Sequence, residues 1–261
     1  MKTLKKMKTL ALASCALTSF LANGGNAIDD IAPADAFKPG SVIVFIGDSI
    51  THGGRGGDMN HVYGHSYASV IISRYLGYRP GMNLCFFNKG VSGDSTVTLL
   101  ERWKRDALEP VANARGWSGP FPGLTGKQKP DVISLLIGVN DYMSGHEERR
   151  TTPEQYAKNL ETLVSQTLEA LPGCTMVICE PFRLPADTSP DFVARQKAAR
   201  DVAKRHGLCF VEFQRLFSDV LLRENPNAKY WMWDKCHPTA AAHVRMADWW
   251  LQTFLKFKSK N

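Results

Sequence analysis

Val42-Ile43-Val44-Phe45-Ile46-Gly47-Asp48-Ser49-Ile50-Thr51 is the stretch from which the fold can be read. Five consecutive apolar residues, mostly β-branched, predict a strand buried on both faces. They run directly into a glycine, an acid and a serine. In open α/β sheets ligands bind beyond the carboxyl ends of the strands, so the Ser49 hydroxyl stands where a reacting group is expected. Gly47 lets the backbone turn sharply there. Alone, Gly47-Asp48-Ser49 is also ordinary turn and helix-cap chemistry, and the remaining stretches have to decide between the two.

The same grammar recurs along the chain. Tyr63 to Leu76 reads as a helix stopped by Gly77. Leu84-Cys85-Phe86-Phe87-Asn88 is a second short strand, leading into the small-residue turn Lys89 to Thr96 and a helix to about Leu108 that Ser95 can cap and Pro110 ends. Residues 110 to 130, rich in proline and glycine, form a long surface excursion. Asp131 to Ile137 is the most strand-like segment of all and ends in Gly138-Val139-Asn140-Asp141. Thr152-Pro153-Glu154-Gln155 supplies an N-cap, a proline at the first helical position and a capping-box glutamine. Tyr156, Leu160, Leu163, Val164, Thr167, Leu168 and Leu171 then fall at helical spacing as core. Cys174 to Cys179 is a fourth strand and Asp191 to His206 a helix closed by Gly207. Leu208 to Phe213 is a fifth strand, and the last helix runs to about Phe257. Alternation of strand and helix implies right-handed crossovers and a five-stranded parallel sheet covered on both faces, an α/β architecture.

The first 27 residues differ from the rest. Lys2, Lys5, Lys6 and Lys8 precede an apolar run from Leu10 to Ala22, and Gly25 and Ala27 occupy the small positions of a cleavage site. That order is a secretory signal, with cleavage expected after Ala27 and a single domain over residues 28–261. The rival is a lipoprotein signal ending at Cys15. It ranks second because the apolar segment continues past that cysteine. With the segment removed, the net charge of +7 falls to +3, 28 basic against 25 acidic residues. Neither basic runs nor interleaved aromatics call for nucleic acid as a partner, and no later stretch is long enough to span a bilayer.

Five cysteines remain, Cys85, Cys174, Cys179, Cys209 and Cys236, mostly in or beside apolar runs where a thiol packs as a small hydrophobe. Their odd number and irregular spacing define no disulfide framework. The loop Gly53-Gly54-Arg55-Gly56-Gly57-Asp58 has neither the Gly-Lys-Ser/Thr ending of a phosphate loop nor the dinucleotide fingerprint, and reads as flexible rim. His61 and His65 lack the glutamate of a zinc-binding helix motif, so no metal is expected.

Three strand ends and one late segment carry the candidate chemistry. A serine hydroxyl needs a base, and His237 fits, with Asp234 three residues earlier able to fix its tautomer. Acyl transfer also needs donors for the oxyanion. The backbone N–H groups of Ser49 and Gly93 and the amide of Asn140 are candidates, with Gly90 an alternative to Gly93. Ser92, a second serine in a glycine turn, is an alternative nucleophile, ranked below Ser49 because its neighbours Gly90 and Gly93 fit a backbone role better. Asp48 and Asp141, beside turns, read as backbone-bonding acids, and His243 as scaffold. Trp231 and Trp233, just before the pair, are either a sugar or acyl platform or ordinary core.

In order, Gly47-Asp48-Ser49-Ile50, Ser92-Gly93-Asp94, Gly138-Val139-Asn140-Asp141 and Asp234-Lys235-Cys236-His237-Pro238 resemble the four blocks of the GDSL or SGNH hydrolase family. The resemblance covers roughly residues 41 to 255. It implies a flavodoxin-like three-layer α/β/α fold and an esterase, with Ser49 as nucleophile, His237 as base, Asp234 as orienting acid, and Gly93 and Asn140 completing the oxyanion hole. No cofactor is implied. Ile50 in place of leucine, and Lys235-Cys236 in place of a glycine and a small apolar residue, depart from the pattern. The absence of a G-x-S-x-G elbow argues against the other large serine-esterase fold. Within the family, Asn88 to Gly93 with Glu101-Arg102-Trp103, and Trp233-Asp234 through His237-Pro238, look most like the xylan acetylesterase branch. The implied protein is an exported esterase removing short acyl groups, acetyl first, from a carbohydrate. A lysophospholipase or thioesterase, and a non-catalytic carbohydrate-binding protein, are the alternatives. Oligomeric state is undetermined.

Overall fold

The computed structural model describes residues 33–56, 62–112, 126–186 and 188–260. Five strands, β1 Val42–Gly47, β2 Cys85–Asn88, β3 Val132–Leu136, β4 Thr175–Cys179 and β5 Cys209–Val211, form one sheet in the order β2-β1-β3-β4-β5. Every pairing in it is parallel. The chain leaves β1 toward β2 on one side and returns to β3 on the other, which opens a crevice at the carboxyl ends of β1 and β3.

Two faces of apolar side chains hold the sheet. Ile43 and Phe45 of β1 point into one core, together with residues of α1 (Tyr67–Tyr78) and α5 (Ala240–Lys258). Val44 and Ile46 point into the other, against α2 (Thr96–Trp103), α3 (Pro153–Ala170) and α4 (Pro190–Arg205). The alternation is the period-two geometry of a strand buried on both sides. Each core centres on a fully buried tryptophan whose indole N–H is satisfied. Trp250 donates to Ser134 Oγ at 2.9 Å, and Trp103 to Thr167 Oγ1 at 3.1 Å. Burial of each large apolar side chain contributes about 1.5–3 kcal/mol.

Some boundaries differ from expectation. The first long helix begins at Tyr67 rather than Tyr63, because Gly64 takes a left-handed φ of +72° in a tight turn against Gly53. It also runs through Gly77 to Tyr78. At the Ser95 cap the Ser95 N–H donates to Thr98 Oγ1 at 3.1 Å while Ser95 Oγ itself has no partner among the described residues, and the helix then widens into π-helical turns over Lys104–Leu108. Thr152 caps α3 by accepting from the Gln155 N–H at 3.2 Å, but the Gln155 side chain turns to Asn159 at 2.7 Å instead of reaching back to complete the box. In the excursion after Pro110, Val111–Ala112 pairs antiparallel with Gly126–Lys127. The rest of that excursion, the signal segment 1–27, His61 and the end of the glycine loop lie outside the described residues. All five cysteines of the domain are free thiols. Among the described residues no helix is long and apolar enough to cross a membrane.

Candidate active site

Strand β1 delivers Ser49 by a tight exit. Gly47 has φ +155°, and a Cβ there would stand 2.0 Å from the Leu136 carbonyl oxygen of β3, so only glycine fits between the strands. Asp48 caps the short helix Ser49–His52 by accepting the Ile50 N–H at 2.9 Å. Ser49 thereby opens a helical turn, where the first N–H groups have no intrahelical acceptor.

From the other end of the chain, the segment before α5 brings His237, the candidate base. Met232 bridges to Pro238, and the Trp233 N–H bonds the His237 carbonyl at 2.8 Å, closing a small loop around Asp234 and His237. His237 Nε2 lies 2.8 Å from Ser49 Oγ, across 188 residues of sequence. Its Nδ1 lies 2.8 Å from Asp234 Oδ2. Asp234 Oδ1 accepts the backbone N–H groups of Cys236 and His237, each at 2.8 Å. Partial burial opposes the charge on Asp234, but those two N–H groups and the imidazole outweigh it and hold the carboxyl at about 2. A carboxylate kept ionised against Nδ1 fixes the tautomer that leaves Nε2 free to accept a proton.

The donors face the same space. Asn140, in the first turn after β3, gives one amide hydrogen to the Asp94 carbonyl at 2.9 Å and keeps the other. Gly93 has φ +82°, and its carbonyl accepts from Arg149 Nη1 at 3.0 Å. A cleft of about 660 Å³ is lined by Ser49, Gly93, Asn140, Asp234 and His237 together. The five candidate positions therefore meet at the crevice that the strand order creates. A hydroxyl with an imidazole on its proton and unspent donors nearby can attack an acyl carbon and stabilise the resulting oxyanion.

The alternatives separate by geometry. The Gly90 N–H is spent on Asn88 Oδ1 at 3.0 Å, and a Cβ at Gly90 would meet the His52 nitrogen at 2.3 Å, so this glycine serves close packing. Ser92 lines the cleft, but the imidazole sits on Ser49. Trp231 does not face the cleft: it is buried in the core with its indole N–H on the Asn225 carbonyl at 2.9 Å, which corrects its reading as a substrate contact. Trp233 is 79% exposed next to Asp234 in the chain, and it too is not among the residues that line the cleft. His243 is buried, accepts the Tyr67 N–H on Nδ1, and is pushed down to about 4 by desolvation, in keeping with a scaffold role. Among the described residues, Asp234, Cys236 and His237 are the one group with metal-ligand atoms within 4.8 Å of one another. Burial lifts the Cys236 thiol to about 12, and the imidazole there is already engaged on both nitrogens.

Two buried charged residues support the site, of which the sequence marks Asp141 as a backbone-bonding acid and attaches no role to Arg102. Arg102 is buried, and its guanidinium binds Asp94 at 2.5 Å, the Lys89 carbonyl at 2.9 Å and the Gly47 carbonyl at 3.3 Å. Asp141 accepts the Thr96 N–H at 3.0 Å and the Thr151 hydroxyl at 3.1 Å, tying α2 to the turn that precedes α3. Arg102 stands out in the sequence only within Glu101-Arg102-Trp103, as part of the resemblance to the xylan acetylesterase branch.

The profile of the GDSL-like Lipase/Acylhydrolase family matches residues 45–245. The chain belongs to that family. This GDSL-family protein is 27% identical over 223 residues to the acetylxylan esterase of Geobacillus stearothermophilus, covering 80% of this chain and 91% of the relative. It superposes on a protein of Parabacteroides merdae described as a GDSL-like lipase with TM-score 0.69 and 31% identity, over 84% of this chain and 97% of the other. An α/β hydrolase from the metagenome of Lake Arreo, Spain, superposes with TM-score 0.68 and 27% identity, over 85% and 98%. The GDSL-family hydrolase described here is a carboxylic ester hydrolase with the three-layer fold that its strand order implies.

Proposed function

We propose that this hydrolase is an exported serine esterase that removes acetyl groups from a carbohydrate. The observation that carries the reading is the continuous chain Ser49 Oγ, His237 Nε2, His237 Nδ1, Asp234 Oδ2, with 2.8 Å at both contacts, opening into the cleft that Gly93 and Asn140 line. Ser49 Oγ attacks the acetyl carbon while His237 Nε2 takes its proton. The N–H groups of Ser49 and Gly93 and the free amide hydrogen of Asn140 receive the oxyanion. Collapse breaks the bond to the sugar oxygen, which leaves with the proton from His237. Water, deprotonated by the same nitrogen, then releases acetate from the acetyl-serine.

Three features favour acetyl on a sugar over a lipid or thioester. Polar side chains, Ser92, Ser144, His146 and Arg149, stand in the cleft beside the reacting groups, along with the apolar Ile50, Val139 and Met143. Trp233 offers an exposed aromatic face on which a sugar ring can stack. The Geobacillus relative is itself an acetylxylan esterase. Export rests on the basic, apolar and small-residue order of residues 1–27.

Rates with aryl esters from two to twelve acyl carbons, and with acetylated xylo-oligosaccharides, test the reading. A maximum at acetate, release of acetate from the oligosaccharides, and a several-fold higher KM for them in Trp233→Ala are expected. A maximum at long chains, with the oligosaccharides untouched, would assign the protein to lipid or thioester chemistry.

A further inference from the structure

The rim of the cleft carries two cations that the acetyl-transfer chemistry does not use. Arg149 and Lys235 both line it, one from the turn Glu147–Arg149 and the other from between Asp234 and His237. Arg149 spends one of its five N–H donors on the Gly93 carbonyl. Among the described residues no carboxylate pairs with either side chain. The acids nearby are otherwise disposed. Asp234 is held by His237, and Asp48 is buried behind Ser49. Glu147 and Glu148 share the turn with Arg149 but do not line the cleft, and Glu148 lies 3.5 Å from His146.

The turn itself is tied down. The Arg149 N–H bonds the His146 carbonyl at 3.1 Å, Arg150 Nε bonds the Ser144 carbonyl at 2.6 Å, and the Thr151 N–H bonds the Asp141 carbonyl at 2.9 Å. Arg149 is thus held in place rather than swinging freely, and the backbone of Lys235 is pinned by the Leu184 N–H at 3.1 Å. The Arg149 guanidinium, held at the cleft by the Gly93 carbonyl, and the Lys235 side chain that lines the same cleft, neither with an anionic partner among the described residues, form a half-built site for a carboxylate.

We propose that the enzyme selects acetyl esters of sugars that carry a carboxylate, which Arg149 and Lys235 bind while the ester is at Ser49. The inference rests on the acetyl-carbohydrate reading above. An acetyl group bears no charge, so the anion lies on the sugar. The carboxylate is unchanged in the reaction, and water cleaves the ester to acetate and the sugar hydroxyl as before.

The test compares an O-acetylated methyl glucuronoside with its methyl ester, two substrates that differ in one charge. We expect kcat/KM to favour the free acid by roughly tenfold or more at low salt, mainly through KM, because charge-assisted bonds exceed neutral ones. The ratio shrinks at about 0.5 M salt, where exposed charges are screened. Arg149→Gln and Lys235→Gln each move it toward one. Because Arg149 also holds the Gly93 carbonyl, its variant slows both substrates, so the ratio is the readout. Lys235→Gln, which touches neither oxyanion donor, reads the same effect independently. A wild-type ratio near one, or a preference for the acid that survives both substitutions, overturns the proposal. Turnover of aryl acetate with neither sugar ester touched would remove the carbohydrate reading and this inference with it.

Discussion

Asp48 sits between Gly47 and the candidate nucleophile with one carboxylate oxygen on the Ile50 N–H and the other, Oδ2, without a partner. Burial lifts this acid to about 7, against the pull of the Ile50 N–H and of His237. Between about pH 4 and 7 the folded chain therefore keeps a proton that the unfolded chain releases. Stability falls as pH rises through that window, by up to about 1.4 kcal/mol per unit. Asp48→Asn, which retains the capping oxygen, is expected to gain on the wild type from pH 4 to 7 and to hold a constant margin above that. Urea midpoints across the range check it. Single residues were also where the sequence was most legible: a strand that ends in Gly-Asp-Ser states its own geometry. The unpartnered oxygen of Asp48 was not legible, because it depends on what Asp94, Asp141 and His237 bring near it.

Arg102 works between elements. Its guanidinium ties the exits of β1 and β2 to Asp94, which follows Gly93, and Asp94 in turn accepts the Thr98 hydroxyl at 3.0 Å. Arg102→Met keeps the stem but leaves Asp94, itself buried, without its cation. A loss of about 3–5 kcal/mol is expected. Adding Asp94→Asn should recover much of it, since a neutral amide tolerates burial better than an orphaned charge. A double-mutant cycle in denaturant measures both. The order of strands and helices was legible because β-branched runs and glycine turns alternate so regularly. Helix starts were less so. Tyr63 to Ser66 carries helix-compatible residues, yet the tight turn at Gly64 excludes them, a constraint set by Gly53 eleven residues away. The Gln155 side chain likewise followed a tertiary partner, Asn159, over the local box.

In the molecule as a whole, the strand order is what makes the site. Ser49, Asn140 and His237 are separated by most of the chain and meet because β1 and β3 are neighbours in the sheet and the loop before α5 returns over their carboxyl ends. The family-like blocks allowed that meeting to be expected from sequence. The cationic rim was not expected, since Arg149 lies outside the family-like blocks, Lys235 enters only as a departure within the last of them, and only the folded turns place the two on one cleft. The convergence on a single activated hydroxyl is tested most directly by labelling the whole protein with a small fluorophosphonate and mapping the adduct by mass spectrometry. One adduct at Ser49 is predicted, absent in Ser49→Ala and formed far more slowly in His237→Ala, with ester hydrolysis in Ser49→Ala reduced on the order of 10³-fold or more. An adduct at Ser92 or elsewhere, or hydrolysis that persists in Ser49→Ala, would contradict it.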